Sequence, residues 1–169
     1  MTEWNLAPKS VADSQVVLAE LMTIVDTNVA GIVHGGTIMK LVDTAAGLAA
    51  IKHSGGMCVT VSLDEMSFLA AVHVGDVVTV KASVNDVGTT SLEVGVRVEA
   101  ENYVTHEPVH TSSAYLVFVA LDEHGRPRPV PPVVPQIDDE RRRQREAKLR
   151  RDVRLAHKRA IAEARTAQG

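Results

Sequence analysis

The chain has 169 residues, 45% of them hydrophobic and 23% charged, enough to fill the core of one ordinary domain and leave an appendage. A formal charge of −3 gives no electrostatic reason to expect nucleic acid or an anionic membrane as the main partner, and a single cysteine, Cys58, excludes an internal disulfide. No Cys/His cluster has zinc-ligand spacing, the opening MTEWNLAPKS lacks the basic and apolar segments of a secretion signal, and no apolar run is long enough to span a bilayer, so a reducing, cytoplasmic setting without metal or membrane insertion is expected.

The first element is an apolar, strand-like run, Val16 to Val25, closed by a turn at Asp26-Thr27-Asn28. From Gly35 to about His53 the apolar residues Ile38, Leu41, Val42, Ala45, Leu48 and Ala49 recur at three and four, which is helical spacing, and Gly55-Gly56 stops it. The period then becomes two. MCVTVSLDEM, VVTVKASVND, TSLEVGVRVEAEN and HTSSAYLVFVAL read as four strands, with a hairpin turn at Val87-Gly88-Thr89. In the third of these Leu92, Val94, Val96, Val98 and Ala100 define a buried face, and Glu93, Gly95, Arg97 and Glu99 a wet one. The fourth is apolar on both faces from Tyr115 to Leu121, as expected of a central strand.

One strand, one long helix and four strands make an α+β arrangement in which the helix covers one face of an antiparallel sheet. The segment after it, DEHGRPRPVPPVVP, holds five of the seven prolines and reads as an extended exit, giving a domain over 1–135 and a tail over 136–169. From Asp138 onward there are 11 Lys and Arg against 6 Asp and Glu, so the tail carries +5 and the remainder, 7 against 15, carries −8. Asp138 or Asp139 can cap a helix there, with Leu149, Val153, Ala156 and Ala160 as a thin apolar stripe. Such a basic helix suits phosphate binding, subunit contact, an anionic surface or a solvated extension.

The chemistry concentrates in NVAGIVHGGTIMKLVDTAAGLAAIKH, 28–53. Ile38, Leu41, Val42, Ala45 and Leu48 lie on one face of the helix, whereas Asp43 has mostly small neighbours, Gly36, Ala46, Gly47 and Ala50 together with Met39 and Lys40. Asp43 reads either as a solvated partner of Lys40 or as a carboxylate facing a backbone or a thin ligand. Gly35 and Gly36 leave unsatisfied amides at the positive end of the helix, suited to developing negative charge. Gly36 and Asp43 are about 10 Å apart along the axis, too far to serve one carbonyl from one helix. If both act on the same bond, the simplest solution is a two-fold dimer in which each site takes Asp43 from one chain and the helix start from the other.

These residues, with VTVSLDEMSFLAAVHVGDVVTV, VNDVGTTSLEVGVRVEAEN and AYLVFVALDEHGRPRPVPPVVP, resemble the hotdog-fold acyl-CoA thioesterases, in particular the cytosolic acyl-CoA hydrolase group, over roughly 16–135. The resemblance implies a hotdog fold, an antiparallel sheet wrapped around one long central helix, here with a C-terminal helical extension. It further implies hydrolysis of acyl-CoA to free acid and CoA, homodimers gathered as a trimer of dimers, and no cofactor, CoA being part of the substrate. By position Asp43 matches the family's carboxylate, as base or nucleophile; Asn28 matches an asparagine contributed by the facing subunit; and Gly36 or Gly35 would polarise the carbonyl. Thr60 and Ser67 fall where walls of the acyl and pantetheine channel are expected, and Thr90 and Ser91 where the pantetheine arm passes. His34, just before the glycines, is assigned to the substrate-binding set and is more simply structural than a base. The other histidines show no functional pairing, and the Asp-His pair of the hydratase branch is absent at an equivalent spacing. The alternative from another class is a non-catalytic acyl-CoA sensor whose basic tail holds a partner; a carboxylate facing the thioester argues against it.

Overall fold

A computed structural model describes residues 4–166, so the first three residues of the N-terminal segment and the last three of the tail lie outside it. Six longer elements follow the expected order: β2 (Val16–Leu21), α1 (Gly35–Ser54), β3 (Cys58–Phe68), β4 (Asp76–Val87), β5 (Ser91–Asn102) and β6 (Pro108–Ala120). Before and after them a two-residue parallel pair, β1 (Lys9–Ser10) and β7 (Val133–Val134), ties the N-terminus to the proline-rich exit, and α2 (Asp138–Thr166) closes the chain. The five long strands form one antiparallel sheet in the order β2-β4-β5-β6-β3. This is the hotdog arrangement, and β6, apolar on both faces, sits inside it as its sequence requires.

Period-two alternation explains the sheet. Val80 pairs with Val98 and Val84 with Val94, so both strands send valines to the same side, and Gly88 N–H closes their hairpin on Ser91 O at 2.7 Å. That side meets α1, whose buried residues are Ile38, Leu41, Val42, Ala45, Ala46, Ala49, Ala50, His53 and Ser54. Alanines let helix and sheet approach closely, and Gly47 lies against the Phe118 ring. α1 stops at Gly55, whose φ of +76° suits glycine.

Three expectations need correcting. Leu48 is 43% exposed, while Ala46 and Ala50, placed on the Asp43 face, are buried, so the packed stripe is rotated towards the alanines. The first strand ends at Leu21 rather than Val25. Thr23 N–H and Oγ1 both donate to Asp26 Oδ2, at 2.8 and 2.7 Å, and fold Ile24–Asp26 into a 3-10 turn. Finally, the wet face of β5 is covered at one end: Glu93 is only 6% exposed, because α2 lies across the side of the sheet opposite α1, whereas Arg97 stays exposed.

The contact made by α2 is ionic. Arg150 grips Glu93, with Nη2 2.6 Å from Oε1, and stacks its guanidinium 3.6 Å from the Tyr115 ring centroid. Arg154 pairs with Asp64 of β3, Gln144 donates to Asp86 at 3.2 Å, and Ala147 is buried between them. The expected apolar stripe faces solvent instead, with Leu149 66% and Val153 69% exposed. At its start Glu140 accepts the Gln136 N–H at 2.6 Å, capping the helix.

Candidate active site

α1 begins as an N-capped helix whose cap is an imidazole. His34 Nδ1 accepts the Gly36 N–H at 2.8 Å, and His34 O accepts the Thr37 N–H at 2.9 Å. His34 N–H in turn donates to Asp26 O at 2.7 Å, so the 3-10 turn positions the helix start. A Cβ on Gly36 would lie 2.8 Å from His34 Nδ1 and displace the capping imidazole, so glycine keeps the cap in place. His34 therefore behaves structurally, and its bond removes the Gly36 amide from the set of open donors. Among the described residues the Gly35 N–H has no acceptor, and a Cβ on Gly35 would only touch the Phe68 ring at 3.4 Å. Of the two glycine amides, Gly35 is thus the one with donor capacity to spare.

Asn28 lies in the loop before this start. Its N–H donates to Ile32 O at 2.8 Å, and its Oδ1 accepts the Ala30 N–H at 2.9 Å, an Asx turn that commits the side-chain oxygen to the loop. Among the described residues Nδ2 has no partner.

Two turns further along α1, Asp43 projects from the exposed side of the helix beside β3, the strand at the sheet edge. Thr60 Oγ1 donates to Asp43 Oδ1 at 2.7 Å, fixing one carboxylate oxygen and leaving the other open. Among the described residues Asp43 makes no ion pair with Lys40. Sequence reasoning read Thr60 as a channel wall; no local pattern shows that a strand residue 17 positions away reaches this carboxylate. Around the pair, Met57 just before β3, Val59, Val61 and Leu63 of β3 and Met39, Leu48 and Ile51 of α1 are all exposed. An edge strand with several exposed apolar side chains beside an apolar helix flank is a surface that calls for a partner.

The remaining candidates lie apart. Ser67 pairs with Ser113, on the sheet face away from α1, and Ser91, alternating with buried Leu92, shares that outer face. Thr90 sits in the β4–β5 hairpin, its carbonyl accepting the Ala120 N–H at 3.0 Å. Cys58 is buried, and burial pushes its thiol up in pKa, an inert state for a nucleophile. Among the described residues no group of three or more His, Cys, Asp or Glu could hold a metal ion, and no helix is long and apolar enough to cross a membrane.

Residues 30–105 match the family model described as the thioesterase superfamily. The cytosolic acyl coenzyme A thioester hydrolase of Mus musculus is 35% identical over 148 residues, 86% of this chain, and the chain spans 39% of that relative's length. Among solved structures, an acyl-CoA hydrolase from Staphylococcus aureus, in complex with butyryl coenzyme A, coenzyme A and coenzyme A disulfide, is 34% identical with a TM-score of 0.85, covering 95% of this chain and 97% of that one. An apo-hexameric acyl-CoA thioesterase is 36% identical with a TM-score of 0.87, over 89% and 97% of the two chains. The staphylococcal enzyme has also been solved with an aspartate, an asparagine or a threonine replaced by alanine, the residue types of Asp43, Asn28 and Thr60.

Proposed function

The chain belongs to the thioesterase superfamily, and from that premise we propose that it hydrolyses acyl-CoA to a carboxylic acid and CoA at a site assembled from two copies of itself. The observation that carries this reading is the separation of two complementary half-sites. An exposed carboxylate, Asp43, has one oxygen pinned and one free, and an open amide, Gly35 N–H, lies about 12 Å away along the same helix, eight residues at 1.5 Å each. A carboxylate acting on a carbonyl through one water must lie within a few ångströms of it, so one chain cannot bring both groups to one thioester.

The exposed apolar surface of β3 and α1 is where a second copy would dock. Pairing of β3 with its counterpart continues the sheet and brings each Asp43 towards the other chain's helix start. The thioester carbonyl then takes a hydrogen bond from Gly35 N–H at the positive end of α1, which stabilises the oxyanion as the carbonyl carbon becomes tetrahedral. Where the open Asp43 oxygen takes a proton from the attacking water, collapse breaks the C–S bond and that proton goes to the leaving CoA thiolate. Where that oxygen attacks the carbon itself, collapse releases the thiolate and leaves an acyl–Asp43 anhydride, which water hydrolyses to the acid, restoring the carboxylate and supplying the thiolate's proton. Asn28 Nδ2 serves as a further donor to the carbonyl or the water. The hexameric relative supports a trimer of such dimers. The cytosolic name of the mammalian relative supports a cytoplasmic setting.

Thiol release from acyl-CoAs of graded chain length, followed for wild type and Asp43→Asn, tests the reading. Turnover in the wild type with a loss of about a thousandfold or more in the variant is expected from removal of the base or nucleophile. Equal rates remove Asp43 from the mechanism, and no release with any chain length leaves the acyl-CoA sensor. Single-turnover hydrolysis in 18O-labelled water, with mass analysis of the product acid and of the Asp43 peptide, tests direct attack: label in Asp43 and none in the acid requires an acyl–Asp43 anhydride opened at the aspartyl carbonyl.

A further inference from the structure

A cavity of about 550 Å³ opens between the outer face of the sheet and the first turns of α2, on the side away from Asp43. We propose that this groove binds a small phosphate-bearing anion at a site separate from the reacting centre.

Its walls are cationic and incompletely neutralised. Lys81 and Arg97, cross-strand partners on β4 and β5, share the single carboxylate of Glu99, at 2.5 and 2.7 Å. From above, Arg142 and Arg143 share Asp139, and Arg142 also reaches Glu146 at 2.7 Å. Four cations therefore face three carboxylates, and one positive charge is left over for a guest. Two polar groups at the groove are also unspent. Arg143 Nε is buried without a hydrogen-bond partner; the Asp139 oxygen 3.3 Å away is a charge contact outside hydrogen-bonding geometry. Asn85, which lines the cavity at only 3% exposure, spends its amide nitrogen on Glu93 at 3.3 Å and has no donor to its Oδ1 among the described residues.

The floor is shaped for contents. Gly95 faces the cavity, and a Cβ on it would lie 2.5 Å from Asn85 Nδ2, so bare backbone lets the carboxamide lie flat and keeps the groove deep. Arg143 and Arg97 supply guanidinium donors to an anionic guest, and the unspent Asn85 Oδ1 accepts from one that carries a hydroxyl. A planar fork suits phosphate oxygens, and a protonated phosphate hydroxyl supplies the donor. The volume falls within the range of small-ligand pockets.

Calorimetric titration of the full chain with inorganic pyrophosphate, and separately with the phosphomonoester glycerol 3-phosphate, tests the site in wild type, Arg143→Gln, Arg97→Gln, Asp43→Asn and Arg165→Gln. Arg165 lies at the exposed far end of α2 and controls for bulk charge. Saturable binding of at least one probe is expected, weakened by about tenfold or more in each groove variant and unchanged in Asp43→Asn and Arg165→Gln. No saturable binding of either probe overturns the proposal. So does a loss in Arg143→Gln and Arg97→Gln no larger than in Arg165→Gln, or a loss in Asp43→Asn, which would place the probes in the reacting centre.

Discussion

Replacing Arg150 with methionine removes the counter-charge of a carboxylate that has almost no water to turn to. Glu93 is 6% exposed and receives three contacts from Arg150, Nη2 at 2.6 Å and Nε at 3.2 and 3.3 Å, against one from Asn85 at 3.3 Å. Breaking one side of a pair this buried costs about 3–5 kcal/mol, and loss of the guanidinium over Tyr115 adds about 0.5–1. At roughly 2–4 °C per kcal/mol for a chain of this size, the midpoint should fall by about 6 °C or more. The partner change separates the ion pair from packing. Glu93→Gln in the same chain removes the stranded charge and keeps an acceptor for Asn85, so the double variant should recover most of the loss, with a coupling of about 2 kcal/mol or more. Thermal and urea unfolding followed by circular dichroism for wild type, both singles and the double give the cycle. A loss below about 1 kcal/mol in Arg150→Met, or a double variant no better than the worse single, would refute the idea that α2 is fastened by this pair.

Thr60→Val keeps shape but frees Asp43 Oδ1; the rate of thioester cleavage should fall about tenfold with little change in midpoint, and an unchanged rate denies that the hydroxyl orients the carboxylate. Gly36→Ala should disturb the helix start, since its Cβ meets His34 Nδ1 at 2.8 Å, whereas Gly35→Pro should fold. Gly35 is the first helical residue and His34 already has φ −66° and ψ 129°, which a following proline accepts. Gly35→Pro nonetheless deletes the open N–H, and a loss of about 10²–10³ in kcat is expected; activity near wild type would move the oxyanion donor elsewhere. His53, buried with Nε2 2.9 Å from Pro131 O and Nδ1 unpaired, has its pKa held below 6.5, chiefly by burial. The unfolded chain then binds more protons than the folded one, so stability should fall as pH drops below about 6.5, by up to about 1.4 kcal/mol per unit until the folded pKa is reached. His53→Gln should flatten that slope in midpoint measurements from pH 7.5 to 5, and an unaltered slope would show that other groups produce it.

Most of the fold was legible because it rests on periodicity. The valine alternation of β4 and β5 and the three-four spacing of α1 are local patterns that the core reads directly. Leu48 was misplaced because a helix lined with alanines has several nearly equivalent apolar faces, and the sheet selects the one with least bulk. The docking of α2 was not legible for a different reason. Its apolar stripe through Leu149 and Val153 names no partner, and the packed face is Gln144, Ala147, Arg150 and Arg154, whose partners Asp86, Glu93 and Asp64 sit on strand faces that alternation alone assigns to water. The opposed charges of tail and body carried the missing signal. In the site, Asp43 and the glycines were visible as types at a spacing, whereas the Thr60 bond and the capture of the Gly36 amide by His34 depend on tertiary placement and on a rotamer.

The cross-subunit site is tested most directly by mixing two inactive chains. Asp43→Asn and Gly35→Pro chains, co-expressed in equal amounts, form about half mixed dimers, each with one site carrying both defects and one carrying neither. Thiol release at about a quarter of the wild-type rate, from two partners each far slower alone, is the expected result. A mixture no faster than the average of its parents would show that carboxylate and amide act within a single chain.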